Sequence, residues 1–199
     1  MAQTILFIDG ENFLHKIRDI LKKCPEGNKV DIASLNFNKI FKTPLYEYKI
    51  TRKIFYVAKL HFHPETKEKS EKLLKSQRKL KNTLLKQKFE FLIAGNVRGQ
   101  KITIDGKTKI IFREKGVDVK IAVDLVSLAA DKVIKTAILC SSDSDLQPAV
   151  QEVRQRGIEV VYLGFGFQPN KGLTYTTNKT VLFRDSEILK ACGIKKSIE

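Results

Sequence analysis

Residues 136–164 read TAILCSSDSDLQPAVQEVRQRGIEVVYLG, which is the pattern of a strand, a helix and a second strand in direct succession. The apolar runs at 136–140 and 158–163 are typical of strands that are buried on both faces of a parallel sheet. The helix is predicted over Asp145–Arg156, and Gly157 follows it as the C-terminal cap. A unit of this kind places the second strand parallel to the first, so the stretch indicates an α/β fold with a parallel sheet.

The same alternation of strand and helix continues on either side of this unit. Alternating strands and helices predict a central parallel sheet with helices on both faces. The length of 199 residues fits one domain that spans 1–199. The further elements predicted are strands at 4–8, 53–58, 89–94 and from residue 180, and helices at 11–23, 31–41 (with Asp31 as N-cap), 117–130 and up to Cys192.

Two basic segments stand out within this pattern. Residues 65–88 predict one long helix with a thin apolar stripe and many lysines. Residues 97–115 predict a basic β-hairpin inserted beside the main sheet, because Asp105-Gly106 favours a type I′ turn. Both segments are candidate surfaces for a nucleic-acid backbone, and a solvated surface is the alternative for each single lysine. The candidate contacts are Lys75, Arg78, Lys79, Arg98, Lys101, Lys107, Lys109, Arg113 and Lys115.

The charge balance narrows the class of partner. Lysine and arginine number 37 against 22 acidic residues, which gives a formal net charge of +15. Such a chain attracts polyanions; nucleic acid is the leading candidate, an anionic membrane surface the second, and a surface that only aids solubility the alternative. Three cysteines argue against a disulfide framework. No apolar run is long enough to cross a membrane and the N-terminus lacks a secretory pattern, so a cytoplasmic location is expected.

Acidic residues follow two of the predicted strands although the chain is basic overall. Asp9 comes directly after the first strand, and Asp143 and Asp145 follow the strand at 136–140. Ligands of doubly wound sheets bind beyond the carboxyl ends of the strands, so these side chains are expected to meet. Carboxylates placed together repel one another unless a cation lies among them, and Mg²⁺ prefers oxygen ligands. The sequence therefore predicts a divalent metal site.

The helix at 117–130 adds two further carboxylates. Asp118 shares a helical face with apolar residues, whereas Asp124 lies on a polar stripe and is interpreted as a solvated or paired residue. Each carboxylate also has a structural alternative: Asp9 could end a strand in a turn, Asp118 could stabilise a helix N-terminus, and Asp145 could cap a helix. It is less favoured that all of these carboxylates, at one end of one sheet, have only such structural roles than that they form a common site.

Three motifs, in this order, resemble the NYN domain family and within it the bacterial LabA-like branch. ILFIDGENF at 5–13 is similar to the opening strand with its Asp-x-x-Asn, and KGVDVKIAVD at 115–124 is similar to the helix that carries two Asp residues. ILCSSDSDLQPAVQEVRQRGIEVVYLG at 138–164 resembles the segment with Ser-x-Asp-x-Asp and Arg-x-Gly. Leu146 stands where Phe is usual and Ser142 where Gly is common, and neither departure touches a carboxylate.

The resemblance implies a PIN-like three-layer sandwich and a nuclease that acts on RNA and depends on Mg²⁺ or Mn²⁺. The metal would activate a water for in-line attack on the phosphodiester, which leaves 5′-phosphate and 3′-hydroxyl ends. The site residues that the resemblance implies are Asp9, Asp118, Asp143 and Asp145 as metal ligands, with Asn12 and Asp124 as further catalytic members.

Two other functions stay open from the sequence. The first is a PIN-like module that binds RNA without cutting it, as a homodimer or within a larger complex. The second is a phosphatase-like hydrolase with Asp9 as its nucleophile. This second function is disfavoured, because Glu11 stands where such enzymes usually have another Asp.

Overall fold

The computed structural model describes residues 2–62, 64–104 and 107–194, and within them seven strands form one sheet. These strands are β1 (Gln3–Asp9), β2 (Arg52–Lys59), β3 (Glu90–Ile104), β4 (Lys107–Lys115), β5 (Ile134–Cys140), β6 (Glu159–Phe165) and β7 (Lys179–Phe183). Their order across the sheet is β4-β3-β2-β1-β5-β6-β7, and all neighbouring pairs are parallel except β3 with β4. The prediction of a parallel sheet is confirmed for all but one edge.

Helices cover both faces of the sheet. In the described ranges they are α1 (Gly10–Lys22), α2 (Phe37–Lys42), α3 (Lys67–Lys86), α4 (Val117–Ala130), α5 (Gln147–Gln155), α6 (Lys171–Thr176) and α7 (Asp185–Ala191). Helices α1, α2, α3 and α7 share one apolar cluster with the sheet, and α4, α5 and α6 share a second cluster on its other face. The predicted three-layer α/β sandwich is therefore confirmed. Among these helices, none is both long and apolar enough to cross a membrane.

The central strand β1 shows why continuous apolar runs build such a sheet. Leu6 and Ile8 point into the cluster beneath α1, whereas Ile5 and Phe7 point into the cluster beneath α4. All four side chains are fully buried. Side chains of a strand alternate between faces, so a strand that is covered on both sides requires an apolar residue at every position.

The prediction of one helix at 31–41 is wrong, because the segment forms a 3₁₀ turn and a separate short α-helix. A 3₁₀ turn spans Ile32–Ser34, and Asp31 caps it by accepting a hydrogen bond from the Ala33 amide. Leu35 is then extended, with ψ at 151°, and α2 begins after Asn36. Both pieces bury their apolar residues in the same cluster, so the helical spacing of the sequence was satisfied by two separate turns.

The strand predicted at 89–94 and the first arm of the hairpin are one continuous strand. β3 pairs in parallel with β2 at its start and antiparallel with β4 from Asn96 onward. The two hairpin strands are therefore the outermost pair of the sheet, and the turn at Asp105-Gly106 lies outside the described residues. The predicted basic helix is observed as α3, preceded by a 3₁₀ turn at Pro64–Thr66.

Candidate active site

The chain leaves β1 and β5 toward opposite faces of the sheet. β1 leads into α1 on one face, and β5 leads to α5 on the other. The two strands are neighbours, with Ile8 paired to Cys140 at their carboxyl ends. Divergent connections of this kind open a crevice at the switch point, which is the usual ligand position in doubly wound sheets. The residues that follow these two strands therefore line a crevice.

Asp9 is the buried carboxylate of this crevice. It ends β1 and caps α1, where its Oδ1 accepts a hydrogen bond from the Asn12 amide at 3.2 Å. Its Oδ2 accepts a second bond from the Ser141 hydroxyl at 3.1 Å. Burial raises the pKa of Asp9 to about 6; the two hydrogen bonds oppose the shift, and the charges of Asp143 and Glu11 add to it. Asp9 therefore carries a negative charge at neutral pH at a cost to folding.

The loop after β5 is fixed to the start of α1 by hydrogen bonds. The Ser142 amide donates to Asn12 Oδ1 at 3.2 Å, and the Asp143 amide donates to Ser141 Oγ at 3.1 Å. Asp143 Oδ1 in turn accepts from the Asp145 amide at 2.9 Å and caps a 3₁₀ turn at Ser144–Leu146. Asn12 thus orients the loop that carries the acidic residues, in addition to any contact with a substrate.

Three carboxylates converge above this loop. Asp118, Asp143 and Asp145 each offer one oxygen, and these oxygens all lie within 4.8 Å of one another. Asp118 reaches the cluster because α4 begins directly after Gly116, whose φ of 87° turns the chain sharply at the end of β4. Asp9, Asp118 and Asp143 also line one common pocket. We call this pocket the acidic pocket.

The donor set of the acidic pocket suits a hard divalent cation. Asp118, Asp143 and Asp145 all offer carboxylate oxygens, and Mg²⁺ and Mn²⁺ prefer oxygen ligands. Within the described part of the chain, Asp118, Asp143 and Asp145 form no ion pair with a basic side chain. Three close carboxylates without such a partner repel one another, and a bound cation relieves that repulsion.

The structure adds Glu114 and Glu11 to the predicted acidic residues. Glu114 lies near the end of β4 and lines the acidic pocket together with Glu11. Burial raises the pKa of Glu114 to about 7, and the charges of Asp9, Glu11 and Asp118 raise it further, while a hydrogen bond from the Ala58 amide opposes them. No local sequence pattern marked Glu114, because it stands among the basic residues of the hairpin and only the strand pairing brings it to the pocket.

Asp124 does not lie at the acidic pocket. Its carboxylate is held by Lys120, one helical turn earlier on α4, and by the Tyr56 hydroxyl at 2.9 Å. The resemblance implied a catalytic role for Asp124, whereas the polar stripe of the helix predicted a paired residue. The geometry agrees with the pairing.

Replacing Asp124 by Asn is expected to leave the RNA cleavage that the sequence resemblance implies within about twofold of the wild type and to lower stability by about 1 kcal/mol. The reason is that Lys120 loses its ion pair while the acidic pocket is untouched. Asp118→Asn, earlier on the same helix, is expected to remove activity instead. Cleavage rates and urea unfolding of both variants check the difference. Equal losses of activity would return Asp124 to the catalytic set.

The predicted basic contacts differ in position. Lys115 lines the acidic pocket, and Arg98 is exposed on β3 in register with Arg113. Lys75 and Arg78 are exposed on α3, but Lys79 is paired with Asp31. The side chains of Lys101, Lys107, Lys109 and Arg113 lie outside the described residues.

Sequence reasoning missed a basic rim on the other side of the acidic pocket. A polar pocket there is lined by His15, Lys16, Gln168 and Lys171, and it shares Asn12 with the acidic pocket. Lys16 Nζ donates to Gln168 Oε1 at 2.5 Å, which ties α1 to the loop after β6. Lys16 and Lys171 are far apart in the sequence, so no local pattern marked them as neighbours.

The mostly parallel sheet, the two helical layers and the acidic cluster at the switch point define an α/β domain of the PIN-like nuclease class. The NYN domain model matches residues 3–182, and the chain belongs to this family. The chain is also similar to a solved protein of unknown function from Vibrio parahaemolyticus, with 17% identity, a TM-score of 0.54 and coverage of 92% of this chain and 93% of that one. At that identity the likeness shows the fold alone. No curated protein matches the chain significantly.

Proposed function

We propose that this protein is a divalent-metal-dependent ribonuclease that hydrolyses RNA phosphodiester bonds in the acidic pocket. One observation carries the proposal: Asp118, Asp143 and Asp145 bring three oxygens within 4.8 Å of one another on a chain with a net charge of +15. NYN domains are generally nuclease-like, and PIN-like nucleases generally use divalent metals. The proposal includes Mg²⁺ or Mn²⁺ as the cofactor, RNA as the substrate and the cytoplasm as the location.

The burial of each acidic residue indicates its role in the proposed reaction. Asp118 and Asp143 are half-buried and Asp145 is exposed, so these three would hold the cation at the mouth of the crevice. The cation supplies positive charge for the scissile phosphate and lowers the pKa of water. Asp9 lies deeper, where its hydrogen bonds to Asn12 and Ser141 keep one carboxylate oriented behind the cluster.

Basic side chains on both sides of the acidic pocket would bind the phosphates that flank the scissile one. Lys115 lies on one side, and Lys16 and Lys171 line the adjoining polar pocket on the other. Phosphate contacts of this kind supply affinity without sequence preference and make binding weaken as salt rises. Basic side chains on both sides of an acidic centre would hold a polyanion across the three carboxylates that would bind the cation.

The proposal is tested by the cleavage of end-labelled single-stranded RNA with Mn²⁺, with Mg²⁺ and with EDTA, beside DNA of the same sequence. We expect cleavage with either metal, none with EDTA, and slower cleavage of DNA. RNA that is bound but left whole with every metal would support the non-catalytic RNA-binding module instead. Cleavage that persists in EDTA would show that the cluster does not act through a cation.

A further inference from the structure

A second cavity opens beside the acidic pocket. It measures about 260 Å³ and lies between α1, α3 and the outer strands of the sheet. Its walls are mainly apolar, with Leu14, Val57, Leu80 and Val97 among them. Phe112 of β4 also lines it, and the Lys69 ammonium lies 5.0 Å from the centre of that ring. We call this space the apolar cavity.

The apolar cavity adjoins the acidic pocket. Glu11 and Glu114 line both of them, so the two spaces meet at these two side chains. Arg18, which also lines the apolar cavity, holds Glu11 through an ion pair of 2.9 Å. The mouth of the cavity therefore carries one guanidinium beside the carboxyl groups of Glu11 and Glu114, next to the position proposed for the scissile phosphate.

The polar groups of the apolar cavity are confined to a few positions. Gln77 Nε2 donates to the Ala58 carbonyl at 2.9 Å, and His61 Nε2 lies 3.1 Å from Asn96 Oδ1. Side-chain amide and imidazole groups of this kind recognise the hydrogen-bonding edge of a planar heterocycle, while apolar walls cover its faces. Each of these bonds within the protein leaves one further polar atom on its side chain, Gln77 Oε1 and His61 Nδ1, for the polar edge of a flat ring.

Size and charge identify one occupant. Pockets for drug-sized ligands usually measure about 300–1,000 Å³, so about 260 Å³ suits a single nucleobase. Lys69 is exposed on α3 beside the cavity, where its ammonium lies over the Phe112 ring, and it favours a ligand that carries phosphates. A nucleobase attached to a phosphate in the acidic pocket satisfies the apolar walls, the polar side chains of the cavity and the Lys69 ammonium together.

We infer that the apolar cavity is a base-binding subsite, which captures one unstacked nucleobase of the RNA whose phosphate lies in the acidic pocket. The inference rests on the proposed ribonuclease function and adds a substrate requirement to it. A base can enter only when it is not paired, so the enzyme selects RNA that is single-stranded or locally opened at this nucleotide.

The subsite is tested with a set of RNA strands, each of which lacks one base at a different position. Binding is measured in EDTA, and cleavage of the same strands is measured in Mn²⁺. We expect one abasic position, at a fixed distance from the cut, to weaken binding about tenfold, while the other positions change it little. If no abasic position changes the affinity of the wild type, the inference is wrong.

Ser76→Phe locates the effect in the apolar cavity. Ser76 lines the cavity from an exposed position on α3, so a larger side chain fills the space without disturbing the core. The variant is expected to bind intact RNA about tenfold more weakly and to lose its sensitivity to the abasic position. Asn82→Phe is the matched control, because Asn82 is exposed on the same helix outside the cavity, and it should behave as the wild type.

The outcomes separate the subsite from the ribonuclease function. If RNA is cut normally and no abasic position changes its binding, the base-binding subsite is wrong and the proposed ribonuclease function is supported. One sensitive position that Ser76→Phe removes, without any cleavage, supports the subsite and overturns the ribonuclease. A sensitive position that persists in Ser76→Phe shows that the base is bound elsewhere, and it also overturns the subsite.

Discussion

Replacing Asp143 by Asn lowers metal-dependent RNA cleavage by about 10³-fold or more while the protein stays folded. Asp143 supplies one of the three clustered oxygens, and the substitution removes its negative charge from the proposed cation site. Asn keeps an oxygen that can accept from the Asp145 amide, and it is itself a good capping residue. The fold of the loop should therefore survive, so the loss reports on the site rather than on unfolding.

Single-turnover cleavage rates and Mn²⁺ affinity measure this effect together. Asp131→Asn is the control, because Asp131 is an exposed residue that follows α4 and lies outside the acidic pocket. We expect the control to match the wild type in both measurements and Asp143→Asn to bind Mn²⁺ at least about tenfold more weakly. An Asp143→Asn variant that cuts RNA at the rate of the control would exclude the cluster as the active site.

The carboxylates of the site were predictable because each follows a local pattern. Asp9 stands directly after an apolar run and Asp143 three residues after another; both runs are typical of buried strands, and the carboxyl ends of parallel strands share one edge of the sheet. Asp118 was marked by its position on an apolar helical face. Such local patterns predict a site without knowledge of the strand order. The order decides which strand ends are neighbours, but the carboxyl ends of all parallel strands lie at the same edge of the sheet.

Glu114 shows what local patterns cannot supply. Its proximity to Asp9 and Asp118 depends on the pairing of β4 with β3 and on the length of both strands. In the sequence, a break between residues 94 and 97 was predicted, whereas β3 runs through it without interruption. The pairing of distant strands is therefore the reason why Glu114 was not predicted as a site residue and why the predicted end of β3 was wrong.

Gly10 fits the sequence pattern of a turn and also the start of a helix. Asp9-Gly10 matches the sequence of a turn, yet Gly10 is the first residue of α1. A Cβ at this position would lie 2.4 Å from the Tyr56 carbonyl oxygen, so only glycine allows α1 to start this close to β2. Two residues later on α1, Asn12 accepts a hydrogen bond from the Ser142 amide in the loop of Asp143.

Replacing Asp9 by Asn should stabilise the metal-free protein at neutral pH, by up to about 3 kcal/mol, and should not stabilise it in acid. The folded protein raises the pKa of Asp9 from its ordinary value of 3.8 to about 6. The neutral carboxyl is therefore favoured in the folded state. Its contribution to stability is complete below pH 3.8, declines as pH rises, and is lost above about pH 6. Asn carries no charge at any pH and so removes this loss.

Urea unfolding in EDTA between pH 4 and pH 8 measures the effect. The stability difference between Asp9→Asn and the wild type should grow from pH 4 up to about pH 6 and then stay constant. Asp131→Asn serves again as the control and should show no such slope. A difference that is equal at every pH would mean that the variant acts through the hydrogen bonds to Asn12 and Ser141 and not through charge. Added Mn²⁺ should reverse the order of stability, because the charge of a cation held by Asp118, Asp143 and Asp145 favours the ionised Asp9 carboxylate in the same pocket, which Asn lacks. Burial of Asp9 would then be a folding cost that the metal offsets.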